Sequence, residues 1–103
     1  MASREIHFIA AAQDGHIDGD TSPAFRRALD TKIRSIRTKK TFDFVIDLSH
    51  ITYMSSIGMR ELLRAQRTVQ KRGGRMILAM ANEQIEEKVR MTGLERLLPE
   101  KQV

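Results

Sequence analysis

Two adjacent serines, Ser55 and Ser56, stand where an apolar strand empties into an amphipathic helix, and that junction constrains the chain more than any other stretch. Phe42, Phe44, Val45, Ile46 and Leu48 form a dense apolar run interrupted by Asp43 and Asp47, the pattern of a central strand covered on both faces. After a short connection, Met59, Leu62, Leu63, Gln66 and Val69 recur at helical spacing, and Lys71-Arg72-Gly73-Gly74 supplies a basic last turn with a glycine stop. A helix that begins at Ser55 or Ser56 puts a hydroxyl at its N-terminus. That hydroxyl is either a cap or a site of chemistry, and the two roles respond differently to an added phosphate.

The flanking sequence alternates in the same way. Ile6 to Ala12 is an apolar strand, followed by the polar, glycine-bearing connection Asp14 to Asp20, with room for a second short strand. Thr21 or Ser22 caps a helix with Pro23 in its first turn. Phe25, Leu29, Ile33 and Ile36 form its apolar stripe, and it ends near Thr38-Lys39-Lys40. Arg75 to Ala81 is a further strand. Asn82 caps a helix carrying Ile85, Val89 and Met91, and Thr92-Gly93 precedes a short piece from Leu94 to Leu98 closed by Pro99. Strands alternating with helices predict an α/β layer with largely parallel central pairing.

At 103 residues the chain has room for one core. It has no cysteine, which excludes disulfides, thiol catalysis and thiolate metal sites and permits a reducing compartment. No apolar stretch approaches the roughly 20 residues needed to cross a bilayer, and the N-terminus lacks a signal-peptide core. A soluble, cytoplasmic module with no membrane association is expected. Eighteen basic against thirteen acidic residues leave a net charge of +5, which admits nucleic acid, an anionic membrane surface or an acidic protein partner. With four Phe and one Tyr the chain supplies a poor stacking platform for single strands, so nucleic acid is not the expected partner.

Enzyme chemistry finds little to work with. His7, His16 and His50 are conceivable bases for a serine nucleophile, but Ser55-Ser56-Ile57-Gly58 is not a G-x-S-x-G elbow. Asp43 and Asp47 in one strand lie about 13 Å apart, too far for paired acid and base work. The segment from Asp14 has the sixth-position glycine of a calcium loop, yet its twelfth residue is Phe25 where a bidentate Glu is required. Arg72-Gly73-Gly74-Arg75 lacks the ending of a phosphate-binding loop. No catalytic residue, metal site or cofactor is expected. Past Ser56, however, Arg60, Arg64, Arg67 and Lys71 fall at spacings of four, three and four, a stripe that could receive an acidic partner or a phosphate on Ser56.

Val45-Ile46-Asp47-Leu48-Ser49, the apolar pair within Ile51-Thr52-Tyr53-Met54, and Ser55-Ser56-Ile57-Gly58-Met59 follow one another in an order that resembles the STAS domain of bacterial anti-sigma-factor antagonists. Gly15 to Thr21 resembles that family's Gly-x-Leu-Asp loop, and Thr92 to Leu98 its Thr/Ser-Gly-Leu segment. The resemblance spans Gly15 to Leu98 and implies a single STAS-like α/β domain over residues 1–103, a mixed central β-sheet with helices packed against it, and a last strand and helix that are short or absent.

The same resemblance implies a partner switch used in signal transduction and transcription regulation. The phosphoacceptor maps onto Ser56, its kinase is a serine kinase that is also the anti-sigma factor, and a PP2C-type serine phosphatase resets the switch. Asp18 and Thr21 match loop positions implicated in kinase contact, and Ser55, Ile57, Gly58, Met59, Arg60 and Arg64 complete the expected partner-binding surface. Ser55 stands where many members carry Asp, which makes it a rival acceptor, and Ile57 replaces a small residue. Two other readings stay open: a phosphorylation-independent scaffold in which Ser56 is only a cap, and a basic nucleic-acid-binding protein whose affinity falls with salt.

Overall fold

The computed structural model describes residues 4–38 and 40–99. Lys39, in the expected end of the first helix, and residues 100–103, where a shortened last strand or helix is expected, lie outside them.

Strand β1 (Arg4–Ile9) leads through a 3-10 turn at Gln13–Gly15 into β2 (His16–Ile17) and helix α1 (Ser22–Arg34). Strand β3 (Phe42–Asp47) is followed by β4 (Tyr53–Met54), α2 (Ser56–Lys71), β5 (Gly74–Ala79), α3 (Glu83–Met91) and a last 3-10 turn at Glu95–Leu97. The described residues thus form the α/β layer that the alternation predicts. Two separate sheets form, ordered β1-β3-β5 and β2-β4, and every pairing between described strands is parallel.

The three-stranded sheet has one covered face. Phe44 pairs in register with Ile6 and Met76, and Ile46 with Phe8 and Leu78; this row set faces the helices. Phe8 holds ring contacts at 6.4 Å with Phe25 of α1 and 6.2 Å with Phe44, tying α1 to the sheet. Leu29 and Ile33 of α1 and Leu62, Ala65 and Val69 of α2 complete the core. Turning these side chains from water to apolar surroundings is the dominant stabilising term, at about 1.5–3 kcal/mol for each large aliphatic or aromatic residue.

The other face corrects one expectation. The run Phe42–Asp47 alternates fully buried with half-buried positions, so β3 is covered on one face and not on both. Its outer face pairs Asp43 with Glu5 and Arg75, Val45 with His7 and Ile77, and Asp47 with Ile9 and Ala79. Arg75 makes a two-pronged contact with the Asp43 carboxylate, 3.2 Å on each prong, a cross-strand ion pair in the wet part of the sheet. Val45 and Ile77 on this face disguise a period of two as a continuous apolar run.

Helix α1 ends at Arg34, earlier than the apolar spacing predicts, although Ile36 stays buried. The Ser35 hydroxyl donates to the Lys32 carbonyl at 2.6 Å. Arg72, just past the end of α2, donates from Nη1 to the Ile33 carbonyl and from Nη2 to that of Ile36 at 2.6 Å. A distant guanidinium therefore takes carbonyls that a longer helix would otherwise have to satisfy.

Candidate functional site

The serine junction is assembled from four segments. After β3, Asp47 accepts the Ser49 amide at 2.8 Å and the Leu48 amide reaches the Ala79 carbonyl at 2.8 Å, turning the chain toward Ile51, whose side chain is buried. The Ser49 amide first, then the Ser49 side chain, with His50 and His7 adding charge, hold the Asp47 carboxyl below its ordinary range against the opposing effect of burial. Strand β4 then runs between two partners. On one edge the Thr52 amide donates to Gly15 and the Ser55 amide to Ile17; on the other the carbonyls of Thr52 and Met54 accept from Asn82 Nδ2 at 3.1 Å and Lys88 Nζ at 2.6 Å. Helix α3 and its cap thereby hold the Thr52 and Met54 carbonyls in the segment that leads into the serines.

The serines are not equivalent. Ser55 is the N-cap of α2, extended at φ −82 and ψ 175, half-buried, with its hydroxyl accepting the Gly58 amide at 3.4 Å. Ser56 is the first helical residue, exposed, and its hydroxyl has no hydrogen-bond partner among the described residues. Local preference cannot separate two consecutive serines as caps, but packing can. A β-carbon at Gly58 would lie 2.8 Å from both Ile17 Cγ2 and Met54 Cγ, so only glycine lets α2 seat this closely on β2 and β4. That seating sets which serine faces inward.

Around Ser56 the expected partner-binding residues divide. Asp18 and Thr21 are half-buried and bonded to each other. Asp18 Oδ1 accepts the amides of Asp20 and Thr21 at 3.0 and 3.2 Å, and Thr21 Oγ1 accepts the Asp18 amide at 3.0 Å while donating to the His16 carbonyl at 2.7 Å. This fixed loop adjoins the helix start, since a β-carbon on Gly19 would stand 3.4 Å from Ile57 Cδ1. Ile57 itself is 42% exposed. Gly58 and Met59 are both buried.

The basic stripe is split by tertiary contacts. Arg64 turns toward α1 and pairs with Asp30 at 3.0 Å and Glu61 at 3.0 Å, with Arg26 at the margin of the same cluster. Burial alone would lower the Arg64 pKa, but hydrogen bonds to Glu61 and Asp30 outweigh it and raise it further, so this cation is permanently charged and engaged within the chain. Arg60 has no ion pair among the described residues and faces Ser56 along one helical turn.

Lys88, a residue without a local sequence signal, completes the neighbourhood. Besides bonding Met54, its ammonium lies 4.5 Å from the centre of the Tyr53 ring, which also meets His16 edge-on at 5.6 Å. Ser56, Met59, Arg60 and Leu63 of α2 face Lys88, Met91 and Thr92 of α3 and its end across a groove of about 460 Å³. Among the described residues no three His, Cys, Asp or Glu side chains stand together so as to hold a metal ion, and no helix is long and apolar enough to cross a membrane.

A family model for the STAS domain matches residues 9–102. The chain belongs to the STAS domain family. No curated protein shows a significant match to it. In this STAS domain the matched span runs from the last residue of β1 through the final 3-10 turn, and the two serines lie near its middle.

Proposed function

We propose that this STAS domain is a phospho-switched, non-enzymatic partner-binding module of the anti-sigma-factor-antagonist type. Unphosphorylated, the surface around Ser56, Ile57 and Arg60, flanked by the loop carrying Asp18 and Thr21, docks on a serine kinase and releases what that kinase holds. Phosphorylation of Ser56 ends the docking, and a serine phosphatase of the PP2C type restores it. The observation that carries this reading is the contrast between the two hydroxyls: that of Ser55 is spent as a cap, and that of Ser56 is exposed and unbonded.

Electrostatics supports an interface switch that leaves the fold standing. A phosphate brings about −1.5 to −2 charges to the positive end of α2, one turn from Arg60, where it is tolerated by the helix. The same charge faces an incoming partner directly. Ser56 is itself exposed, so the added charge need not enter the core.

The test is peptide mass spectrometry on the protein isolated from its own cells under growth and under stress, with Ser55 and Ser56 resolved. Phosphate on Ser56 whose occupancy changes with condition is the expected result. Phosphate on Ser55 alone, or on neither residue in every condition, overturns the reading, the second outcome pointing to a phosphorylation-independent scaffold.

A further inference from the structure

We propose that the groove between α2 and α3 receives an acidic amphipathic helix of a partner protein, with its apolar face on the groove floor and its carboxylates at Arg60 and Lys88. The floor is apolar, made by Met59, Leu63, Met91 and Leu94, and Met91 is 79% exposed. Met91 is the exposed member, Leu63 is half-buried, and Met59 and Leu94 form a buried base beneath them. The α2 wall presents Ser56, Met59, Arg60 and Leu63 at the i, i+3, i+4, i+7 spacing, about 10 Å of helix axis, which matches two turns of a helix laid alongside. The two methionines suit such an occupant, because unbranched thioethers adapt to an irregular partner face.

Charge selects the sign of that partner. No carboxylate lines the groove, and two cations do. Arg64, Arg75 and Arg90 each hold a carboxylate at 3.0–3.2 Å, whereas neither Arg60 nor Lys88 has an ion pair among the described residues. Among the described residues Lys88 is held by the Met54 carbonyl and the Tyr53 ring, so its charge is positioned yet not neutralised. A domain carrying +5 that leaves these two cations beside apolar floor is complementary to a helix with Leu-like residues on one face and Glu or Asp at its borders. Ser56 sits at the mouth of the same groove. On the switch reading above, and only in this respect resting on it, a phosphate there competes with the acidic helix for Arg60 and Lys88.

The experiment uses the full chain with carbon-13 in the methionine methyls and two designed peptides of about four helical turns, identical in their leucine face, one bordered by Glu and one by Lys. The expected result is that the Glu peptide shifts the methyl signals of Met59 and Met91 but not that of Met80, an exposed methionine outside the groove, and that the Lys peptide binds at least tenfold more weakly. Lys88→Glu and Arg60→Glu each weaken the Glu peptide at least tenfold, the Arg60 variant guarding against any loss of fold at Lys88. Equal binding of both peptides, shifts of Met80 in step with Met91, or no binding up to about 1 mM overturns the proposal. So does decyl phosphate shifting Met59 and Met91 where the Glu peptide does not, which assigns the groove to a small amphiphile. All arms use unphosphorylated protein and no kinase. Their failure leaves the Ser56 switch standing, and absence of phosphate in cells leaves the groove result standing.

Discussion

The Ser55 hydroxyl accepts the Gly58 backbone amide at 3.4 Å, while the hydroxyl of Ser56, one residue later, is turned to solvent. One residue of register therefore separates a capping hydroxyl from an exposed, unbonded one. Both functions are carried within a single turn because Gly58 brings that turn against β2 and β4, and because Asn82 and Lys88 hold the carbonyls leading into it.

Substitution should separate the two serines cleanly. Ser55→Ala removes a capping acceptor and is expected to lower stability by about 1 kcal/mol. Ser56→Ala removes an exposed, unbonded hydroxyl and should change stability by less than about 0.5 kcal/mol. Ser56→Asp places a negative charge at the positive end of α2 and should raise stability by about 0.3–1 kcal/mol in low salt. Urea denaturation of the three variants measures this; a larger loss for Ser56→Ala than for Ser55→Ala would show that the hydroxyls have exchanged roles.

Gly58→Ala tests the seating of α2. Alanine is the better helix former and would add up to about 1 kcal/mol at an open helical site. Here its methyl would meet Ile17 and Met54 at 2.8 Å and the Ile17 carbonyl at 3.0 Å. Overpacking should win, with a net loss of about 1–3 kcal/mol in thermal or urea unfolding. Because the displaced elements carry the Ser56 turn, amide shifts in the nuclear magnetic resonance spectrum should concentrate at residues 53–60 and at Ile17.

How far the sequence reveals this arrangement depends on the range of the interaction. The helices are legible because their information is local: Phe25, Leu29 and Ile33 repeat at helical spacing and are all buried, and Asn82 accepts the Ile85 amide at 2.9 Å as a cap should. The strand-to-helix junction at Ser55 and Ser56 is legible because capping chemistry marks a helix start there. The open face of β3 is hidden, since Val45 and Ile77 are apolar residues on a half-buried surface. The fate of Arg64 is hidden as well. Its spacing groups it with Arg60, and only the packing of α1 on α2 brings Asp30, 34 residues away in sequence, to its guanidinium. Lys88 offers no local signal at all, because its function arises from a carbonyl and a ring 34 and 35 positions earlier in the chain.

Arg72 is a second long-range contact with a measurable cost. Its guanidinium satisfies the Ile33 and Ile36 carbonyls at the end of α1. Arg72→Leu keeps much of the side-chain volume and removes both donors, and should destabilise the domain by about 1.5–3 kcal/mol, the range for hydrogen bonds to a charged group. Hydrogen exchange should quicken first in residues 31–36. If exchange there is unchanged while overall stability falls, the side chain acts by packing and not by capping.

The acid limb of stability should bear the mark of Asp47. Its carboxyl lies below the ordinary value of 3.8 because the Ser49 amide and side chain, then His50 and His7, favour the charged form in the folded state. A lowered native pKa means that the unfolded chain binds this proton more readily. The contribution is therefore fully present above the unfolded pKa and is lost as pH falls through the lower, folded value. Melting temperatures measured from about pH 6 down to about pH 2 should fall more steeply for the wild type than for Asp47→Asn, whose amide oxygen keeps an acceptor for Ser49 without the charge. Parallel curves would mean that the Asp47 charge contributes nothing to the acid limb and that other carboxylates set it.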